Sequence, residues 1–346
     1  MREFDAGRIM ISLVRAAVRS FRDLDESMAI QFLSTVNKRV AFRAVLFGCT
    51  LLAGCVTATS SLTLPTNAPN GAVEHIPVSL LKPDGNGPFP AIVIMHDCSG
   101  LGPRSSGAPI RWARELMADG YVIIIPDSFT TRGHANGVCT DAAPTRNQVA
   151  PARRAFDAYA ALAYLRTLSY VDGSRIGIMG GSHGGSTTLS SVVAPERKTD
   201  RLYQVRLNGF SAAVALYPGC AFQMGGWRTL QQSGESGPIT SYIGVYKPVA
   251  PLMILIGEND DWTPAEPCRK LVEIAQQAGF PVSIKVYPGA HHAFDSNFPV
   301  RYDPARINGN SPTGRGATTG GDPKAWDDSV REVKAFFARH LKPPAK

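Results

Sequence analysis

The sequence lacks three features that would place the protein in a specialised class. Its 36 Lys and Arg residues outnumber its 28 Asp and Glu residues, but the basic residues are scattered and form no tract. A scattered excess indicates a mildly basic surface, so no nucleic-acid partner is expected. No fixed-period repeat is visible, which argues against a solenoid or a propeller. No apolar run is long enough to span a bilayer as a helix.

Metal-binding patterns are absent from the sequence as well. The six cysteines form no CxxC pair and no Cys/His spacing typical of zinc, so neither a metal nor an organic cofactor is expected. What is present is the composition of an ordinary folded protein, with 44% hydrophobic and 18% charged residues. A chain of 346 residues has room for one large α/β domain or two small ones.

The N-terminal region contains a segment that is typical of bacterial export signals. Three basic residues precede a short apolar run at residues 44–53. The run ends in Leu-Ala-Gly-Cys at residues 52–55, which resembles the lipobox of bacterial lipoproteins. The resemblance implies that Cys55 carries a lipid, becomes the first mature residue and anchors the protein to a membrane. An N-terminal helix of a cytoplasmic protein is the alternative interpretation.

The export signal divides the chain into three parts. Residues 1–54 are predicted to be a signal region, with Met28 as an alternative initiator. Residues 55–72 are rich in Ser, Thr, Pro and Asn, which predicts a flexible tether. Residues 73–346 are predicted to form one domain. The mature protein would then face the periplasm from the bacterial cell envelope.

From residue 73 onwards, apolar runs rich in β-branched residues alternate with helical patterns. Several runs are apolar without alternation, as strands buried on both faces of a sheet should be. The order strand, helix, strand, helix predicts an α/β fold with a mostly parallel, doubly wound sheet and helices on both faces. The predicted strands cover residues 91–95, 121–125, 175–179, 212–217, 252–256 and 282–287.

Three long connections interrupt this alternation, over residues 128–149, 220–247 and 298–322. Each follows the C-terminal end of a strand, which is the edge at which open α/β sheets hold their active sites. Long connections at that edge are usually functional. The Gly-rich part of the last one, residues 308–321, is equally compatible with disorder.

Residues 180–184 match the nucleophile-elbow pattern G-x-S-x-G, with Ser182 at its centre. The pattern follows a predicted strand and precedes a helical segment, as a nucleophile elbow does. The turn must be sharp for the serine hydroxyl to stand clear of the backbone, and Gly180 and Gly184 remove the side chains that would collide there. A plain Gly-rich turn is the alternative, whereas a P-loop would need a Lys after its last Gly.

A serine nucleophile needs a base, and the base needs an acid that orients it. When the nucleophile stands on an elbow of this kind, the chain order is Ser, then Asp or Glu, then His. His291 and His292 follow the last predicted strand, and three carboxylates follow the strand before it. The carboxylates are Glu258, Asp260 and Asp261. Asp261 or Thr263 could instead cap the helix that begins near residue 264.

These motifs resemble the dienelactone hydrolase family of α/β-hydrolases over residues 73–341. The shared motifs are the elbow, a G-x-x-D-x-x-[VT]-P turn after the penultimate strand and H-x-F after the last strand. The resemblance implies an α/β-hydrolase fold, with Asp260 as the acid and His292 as the base. It also implies that a small carboxylic ester or lactone is hydrolysed through an acyl-enzyme, without a cofactor.

The sequence departs from this family at the nucleophile. Dienelactone hydrolases proper have Cys where this chain has Ser182. Serine-bearing relatives include esterases and peptidases of similar fold, so the resemblance supports the fold and the triad better than the substrate. A serine peptidase of the prolyl-oligopeptidase type is one alternative, although the chain leaves no room for the usual propeller domain. A non-catalytic envelope-binding protein on the same fold is another.

The oxyanion that forms during ester cleavage needs two backbone N–H donors. The elbow predicts the N–H of His183 as one donor. The resemblance implies the N–H of Cys98 as the other, and it places the carboxylate of Asp97 near the nucleophile. The side chains of His96 and His183 are predicted to be structural or to face the substrate.

Four cysteines remain once the signal is removed and Cys55 is acylated, and an oxidising compartment would allow them to form disulfides. Four cysteines allow three pairings. Because consecutive strands tend to be neighbours in the sheet, we predict the pairs that leave adjacent strand ends, Cys98–Cys139 and Cys220–Cys268. Four free thiols in a cytoplasmic enzyme are the alternative.

Overall fold

The computed structural model describes residues 62–68, 70–196, 201–231 and 239–342. The predicted signal region, and residues 55–61 and 69 of the predicted tether, lie outside these residues. The described chain has an α/β fold in which strands and helices alternate as predicted. The strands are β1 (Thr63–Asn67), β2 (Val73–Leu81), β3 (Phe89–Met95), β4 (Val122–Pro126), β5 (Val171–Gly181), β6 (Ala212–Leu216), β7 (Arg228–Gln231), β8 (Ile239–Ile243), β9 (Leu252–Gly257), β10 (Val282–Tyr287), β11 (Arg301–Ile307) and β12 (Arg315–Thr319).

Eight of the described strands form one sheet, in the order β1-β2-β4-β3-β5-β6-β9-β10. β2 pairs antiparallel with both of its neighbours, and the remaining pairs are parallel. The register aligns Met95 with Gly180, Gly181 with Leu216, and Leu216 with Leu255. The carboxyl ends of β3, β5, β6 and β9 therefore lie side by side at one edge of the sheet.

Helices cover both faces of this sheet. On one face α1 (Ala108–Ala118) packs against α7 (Pro323–Leu341), with the rings of Trp112 and Trp326 4.8 Å apart. On the other face α3 (Pro151–Leu165) packs against α4 (His183–Val192), where the Tyr159 hydroxyl donates to the Ser191 carbonyl at 2.7 Å. Within the described ranges, none of the helices combines the length and the apolar character needed to cross a bilayer. The helices are α1 (Ala108–Ala118), α2 (Ala143–Asn147), α3 (Pro151–Leu165), α4 (His183–Val192), α5 (Tyr203–Leu207), α6 (Ala265–Gln277) and α7 (Pro323–Leu341).

Burial on both faces explains the continuous apolar runs of the sequence. All residues of β4, β6 and β9 are buried, as are those of β3 after Phe89. Burying a side chain such as Ile94 or Ile124 contributes about 1.5–3 kcal/mol relative to leaving it in water. The six predicted strands are confirmed, and β5 is longer than predicted at both ends.

The predicted tether is wrong over residues 63–67, which form β1 and pair antiparallel with β2. Leu64 and Thr66 are buried, and Thr66 Oγ1 donates to Asp157 Oδ1 on α3 at 2.9 Å. The guanidinium of Arg132 also donates to both oxygens of Asp157, at 2.7 and 2.8 Å. The polar composition of this segment does not indicate a strand. The strand forms because its alternate residues, Leu64 and Thr66, are buried against the rest of the domain.

Two hairpins occupy parts of the long connections. β7 pairs with β8, and β11 pairs with β12. The disorder alternative for residues 308–321 is wrong, since this segment includes β12 and the buried Asn308. Asn308 Nδ2 donates to the carbonyls of Asp261 at 2.9 Å and Gly316 at 2.7 Å. These bonds fasten the second hairpin to the turn that follows β9.

Candidate active site

Ser182 stands on the sharp turn between β5 and α4. Its φ is 54°, a left-handed conformation that residues other than glycine rarely adopt and that is characteristic of strained functional turns. A Cβ atom at Gly180 would lie 2.6 Å from the Met95 carbonyl oxygen, and one at Gly184 would overlap the same atom. The two glycines therefore let the turn pack directly against the end of β3.

The structure brings the side chains of Ser182, His292 and Asp260 together. His292 Nε2 lies 2.8 Å from Ser182 Oγ, and His292 Nδ1 lies 2.8 Å from Asp260 Oδ2. All three side chains are buried, Ser182 with 8% of its surface exposed. Of the two adjacent histidines, it is His292 and not His291 that reaches the serine. This arrangement can deprotonate a serine hydroxyl and hold the resulting imidazolium next to a carboxylate.

The turn after β9 holds the Asp260 carboxylate from several sides. Its Oδ1 accepts the backbone N–H groups of Trp262 at 3.0 Å and Thr263 at 2.8 Å. Thr263 Oγ1 lies 3.0 Å from both Asp260 Oδ2 and His292 Nδ1. Sequence reasoning missed this role of Thr263, although the motif of the resemblance, with Val or Thr directly before Pro264, includes the position.

Asp261, the alternative acid, is engaged elsewhere. Its two carboxylate oxygens accept the backbone N–H and the hydroxyl of Thr318 on β12, both at 2.8 Å. Neither Asp261 nor Thr263 caps α6, whose N-cap residue is Pro264, so the capping alternative is wrong. Asp261 therefore anchors the second hairpin beside the site, while its neighbour Asp260 faces His292.

The two predicted oxyanion donors lie on adjacent segments of backbone. Cys98 belongs to the loop after β3, and His183 is the first residue of α4 after β5. Since β3 and β5 are neighbours in parallel register, both segments start from the same edge of the sheet. The Asp97 carboxylate accepts the N–H of Ser99 at 2.7 Å and the hydroxyls of Ser99 and Ser106, so it braces this loop.

Both predicted disulfides are confirmed. Cys98 and Cys139 are bonded with their Cα atoms 5.0 Å apart, and Cys220 and Cys268 with theirs 5.1 Å apart. The first bridge joins the loop after β3 to the long connection after β4. The Val138 N–H donates to the Cys98 carbonyl at 2.7 Å beside it. The second bridge joins the segment after β6 to α6, which begins just after the turn that holds Asp260.

A buried arginine that sequence reasoning missed lies beneath the elbow. Arg154 on α3 donates through Nη1 to His183 Nδ1 at 2.7 Å and through Nη2 to the His96 carbonyl at 2.8 Å. Burial lowers the pKa of Arg154 to about 9. Burial, together with the charge of Arg154, holds the pKa of His96 and of His183 well below the ordinary histidine value.

Both histidines are therefore neutral, with fixed tautomers. His183 Nδ1 accepts from Arg154. His96 Nε2 accepts the backbone N–H of Ser128 at 3.2 Å, and its Nδ1 donates to the Asp97 carbonyl at 2.8 Å. Their side chains are thus engaged in supporting contacts around the elbow. In the described part of the chain, no group of three or more His, Cys, Asp or Glu side chains is arranged to hold a metal ion.

Comparison with protein-family models matches residues 76–341 to the dienelactone hydrolase family. A Methylorubrum extorquens protein named provisionally as a carboxymethylenebutenolidase is 24% identical over 66% of this chain and 70% of its own length. A Bradyrhizobium protein named provisionally as 2-oxo-3-(5-oxofuran-2-ylidene)propanoate lactonase is 22% identical over 65% of this chain and 81% of its own length.

Solved structures show the same fold. The apo form of Thermogutta terrifontis esterase 2 aligns with a TM-score of 0.53 and 18% identity, over 82% of this chain and 97% of the esterase. A Klebsiella pneumoniae protein described provisionally as a dienelactone hydrolase aligns with a TM-score of 0.53 and 21% identity, over 80% of this chain and 98% of its own. At these identities the likeness establishes the fold alone.

Proposed function

Because the chain belongs to the dienelactone hydrolase family of carboxylic ester hydrolases, we propose that it cleaves an ester or lactone through an acyl-enzyme on Ser182. One observation carries the proposal: the hydrogen-bonded series in which Ser182 Oγ, the His292 ring and Asp260 are joined by two contacts of 2.8 Å. The backbone at Ser182 supports the proposal. Its φ of 54° costs free energy in a residue that carries a side chain, and such strain is typical of functional sites.

The first half of the reaction forms the acyl-enzyme. His292, with its Nδ1–H donated to Asp260, accepts the Ser182 proton at Nε2 while Oγ attacks the substrate carbonyl carbon. Charge develops on the carbonyl oxygen, where the backbone N–H groups of Cys98 and His183 are the proposed donors. The C–O bond to the leaving oxygen then breaks, and that oxygen takes the proton from His292. A lactone remains tethered as a hydroxy-acyl ester, whereas an ester releases its alcohol.

The second half repeats the same steps with water. His292 takes a proton from a water molecule, whose oxygen attacks the acyl carbon bound to Ser182 Oγ. The bond to Oγ breaks, Oγ regains the proton from His292, and the carboxylic acid departs. Asp260 keeps the imidazole in the required tautomer and stabilises the imidazolium in both halves, since its carboxylate is held by backbone N–H groups.

A fluorophosphonate probe tests this proposal directly. The probe is expected to add its mass to the protein at Ser182 and to abolish ester hydrolysis, and Ser182→Ala should neither be labelled nor hydrolyse esters. A panel of nitrophenyl esters of increasing acyl length, unsaturated lactones and a peptide amide would then define the substrate class. The lactones are included because the relatives above are named as enzymes of lactones. Labelling of a residue other than Ser182 would overturn the proposal.

We also propose that Cys55 is acylated and holds the domain at a membrane on the periplasmic side. The basic and apolar segment before Leu-Ala-Gly-Cys at residues 52–55 is the basis of this proposal. The two disulfides support it indirectly, because disulfides persist in oxidising compartments such as the periplasm and are rare in the cytosol.

A further inference from the structure

Two residues near His292 hold a backbone conformation that side-chain-bearing residues rarely adopt. Tyr217, at the end of β6, has a φ of 36°, and Ala293, which follows His292, has a φ of 58°. A positive φ at a bulky residue such as Tyr costs free energy and persists only where surrounding contacts enforce it. The segments that carry these two residues are joined by a hydrogen bond between the Tyr217 hydroxyl and the buried carboxylate of Asp295.

Tyr217 contacts three parts of the candidate site at once. Its ring meets the His292 ring edge-on, with centroids 4.8 Å apart. Its carbonyl accepts the Thr263 hydroxyl at 3.0 Å, next to Asp260. Its own hydroxyl lies against the elbow, since a Cβ atom at Gly181 would be 2.5 Å from it. A shift of Tyr217 would therefore displace the His292 ring, the turn that holds Asp260 and the elbow that carries Ser182.

Asp295 fixes the position of Tyr217. Its Oδ1 accepts the Tyr217 hydroxyl at 2.6 Å, and its Oδ2 accepts the indole N–H of Trp112 at 2.7 Å. Its backbone carbonyl accepts Arg111 Nη1 at 2.7 Å. Because Asp295 lies only three residues after His292, these bonds tie the histidine loop to both β6 and α1.

The burial of Asp295 carries an electrostatic cost that its hydrogen bonds to Tyr217 and Trp112 must offset. The side chain is fully buried, and burial raises the pKa of its carboxyl group. The hydrogen bonds from Tyr217 and Trp112 lower this pKa and so oppose the effect of burial. Asp97 faces Asp295 across a small cavity behind Gly181, so a second carboxylate adds repulsion. An apolar side chain at this position would avoid both costs but would leave the Tyr217 hydroxyl and the Trp112 indole N–H buried without this acceptor.

We infer that Tyr217 and Asp295 are positioning residues that hold the His292 imidazole in line with Ser182. The inference rests on the proposed function, since it explains how the alignment of His292 with Ser182 is maintained. Loss of the hydrogen bond between them frees the two strained segments to relax, and the imidazole then spends less time aligned with the serine. Misalignment of a catalytic group lowers the rate of the chemical step more than it lowers substrate affinity.

Tyr217→Phe tests the inference because it keeps the ring against His292 and removes only the hydroxyl. We expect kcat to fall by about tenfold to a hundredfold while KM changes by less than about twofold, and the rate of fluorophosphonate labelling to fall in parallel with kcat. Tyr246→Phe is the matched control, because Tyr246 is equally buried and its hydroxyl donates to the Leu189 carbonyl at 2.7 Å. A similar loss of Tm in both variants, with kcat lowered only in the first, supports the inference.

Asp295 variants provide a second measurement should Tyr217→Phe fold poorly. In Asp295→Asn the amide oxygen can accept from Trp112 while the amide nitrogen donates to the Tyr217 hydroxyl, so most of kcat should be retained. Asp295→Ala removes both bonds and should lose kcat by the same factor as Tyr217→Phe. Equal kcat in the Asn and Ala variants would overturn the inference.

The outcomes separate this inference from the proposed function. If the wild-type protein is labelled at Ser182 and Tyr217→Phe is labelled at the same rate, the positioning role is wrong and the serine mechanism stands. If the wild-type protein is not labelled at Ser182, the serine mechanism fails and the positioning role fails with it.

Discussion

The choice between two adjacent histidines is made by backbone geometry. His291 and His292 have the same chemistry and follow the same strand, β10, yet only His292 reaches Ser182 Oγ, at 2.8 Å. The left-handed turn at Ala293 and the contact of Gly320 N–H with the His292 carbonyl at 3.0 Å set the direction of the loop. At the scale of single residues, neighbours of identical chemistry thus make different contacts because one peptide unit changes where a side chain points.

A comparison of the two histidines tests this distinction. His292→Ala should lower kcat/KM by about three orders of magnitude or more, because it removes the group that we propose accepts the Ser182 proton. His291→Ala, which makes the same chemical change one residue earlier, should lower it by less than about tenfold. Steady-state ester hydrolysis measures both, with circular dichroism to establish that each variant is folded. If His291→Ala were the inactive variant, the assignment of the base would be wrong by one residue.

The two neutral histidines, His183 in the elbow and His96 after β3, predict a loss of stability in acid. The pKa of His96 and of His183 is held well below the usual value by burial and by Arg154, so the unfolded chain binds more protons than the folded one below about pH 6.5. The contribution of these two histidines to the free energy of unfolding is therefore present above this pH and is lost as the pH falls below it. The Tm is expected to decrease between about pH 7.5 and 5.5.

His183→Gln tests the source of this acid dependence. Glutamine can still accept from Arg154 but does not titrate, so the decrease of Tm with falling pH should be smaller in this variant than in the wild type. His75→Gln serves as the control because His75 is exposed, and it should leave the dependence unchanged. An identical dependence in all three proteins would refute the explanation.

At the scale of elements, each predicted functional segment is tied to a neighbour by a covalent or polar link. The loop after β3 is bonded to the connection after β4 through Cys98–Cys139. The segment after β6 is bonded to α6 through Cys220–Cys268. The turn after β9 is held to β12 by Asp261. The sheet supplies the common edge, and these links keep the segments that leave it in a fixed relation.

The two disulfides should contribute equally to stability but differently to activity. They span 41 and 48 residues, so each lowers the entropy of the unfolded chain by a similar amount, worth about 4 kcal/mol. Replacing Cys98 and Cys139 by Ala should also lower kcat, because this bridge holds the loop of one proposed oxyanion donor. Replacing Cys220 and Cys268 by Ala should affect kcat less. Denaturant unfolding and steady-state kinetics on both double variants measure the two effects, and an equal loss of kcat would contradict this assignment.

At the scale of the whole molecule, the disulfides and the proposed acylation concern the same compartment. Disulfides form where the environment is oxidising, and lipid attachment at Cys55 would keep the domain there. Firm anchoring requires more than one short acyl chain, which a diacylglyceryl group with an added acyl chain provides.

Membrane fractionation of the full chain expressed in a bacterium tests the anchor. The wild-type protein should sediment with membranes, and intact mass should show lipid on Cys55. Cys55→Ser should be released from membranes with its esterase activity intact, because the substitution lies outside the hydrolase domain. An unmodified Cys55 in the membrane fraction would refute the acylation.

The sequence by itself determined the class of fold and the elements of the site. Continuous apolar runs separated by helical patterns specify a parallel sheet buried on both faces, because such runs cannot lie against water. The elbow glycines specify a sharp turn, since no larger side chain fits beside the Met95 carbonyl. The disulfide pairs followed from the same order of strands, because neighbouring strands bring their ends together.

Only the tertiary structure decided which side chains lie together. The residues alone left two histidines and three carboxylates open, and the role of Thr263 and the Tyr217–Asp295 pair had no signal in the pattern. Ser182 and His292 are 110 residues apart in the chain, and Tyr217 and Asp295 are 78 apart. Contacts of this kind depend on the direction of each loop as it leaves the sheet. That direction is set by packing and by local strain, which no periodicity in the sequence records.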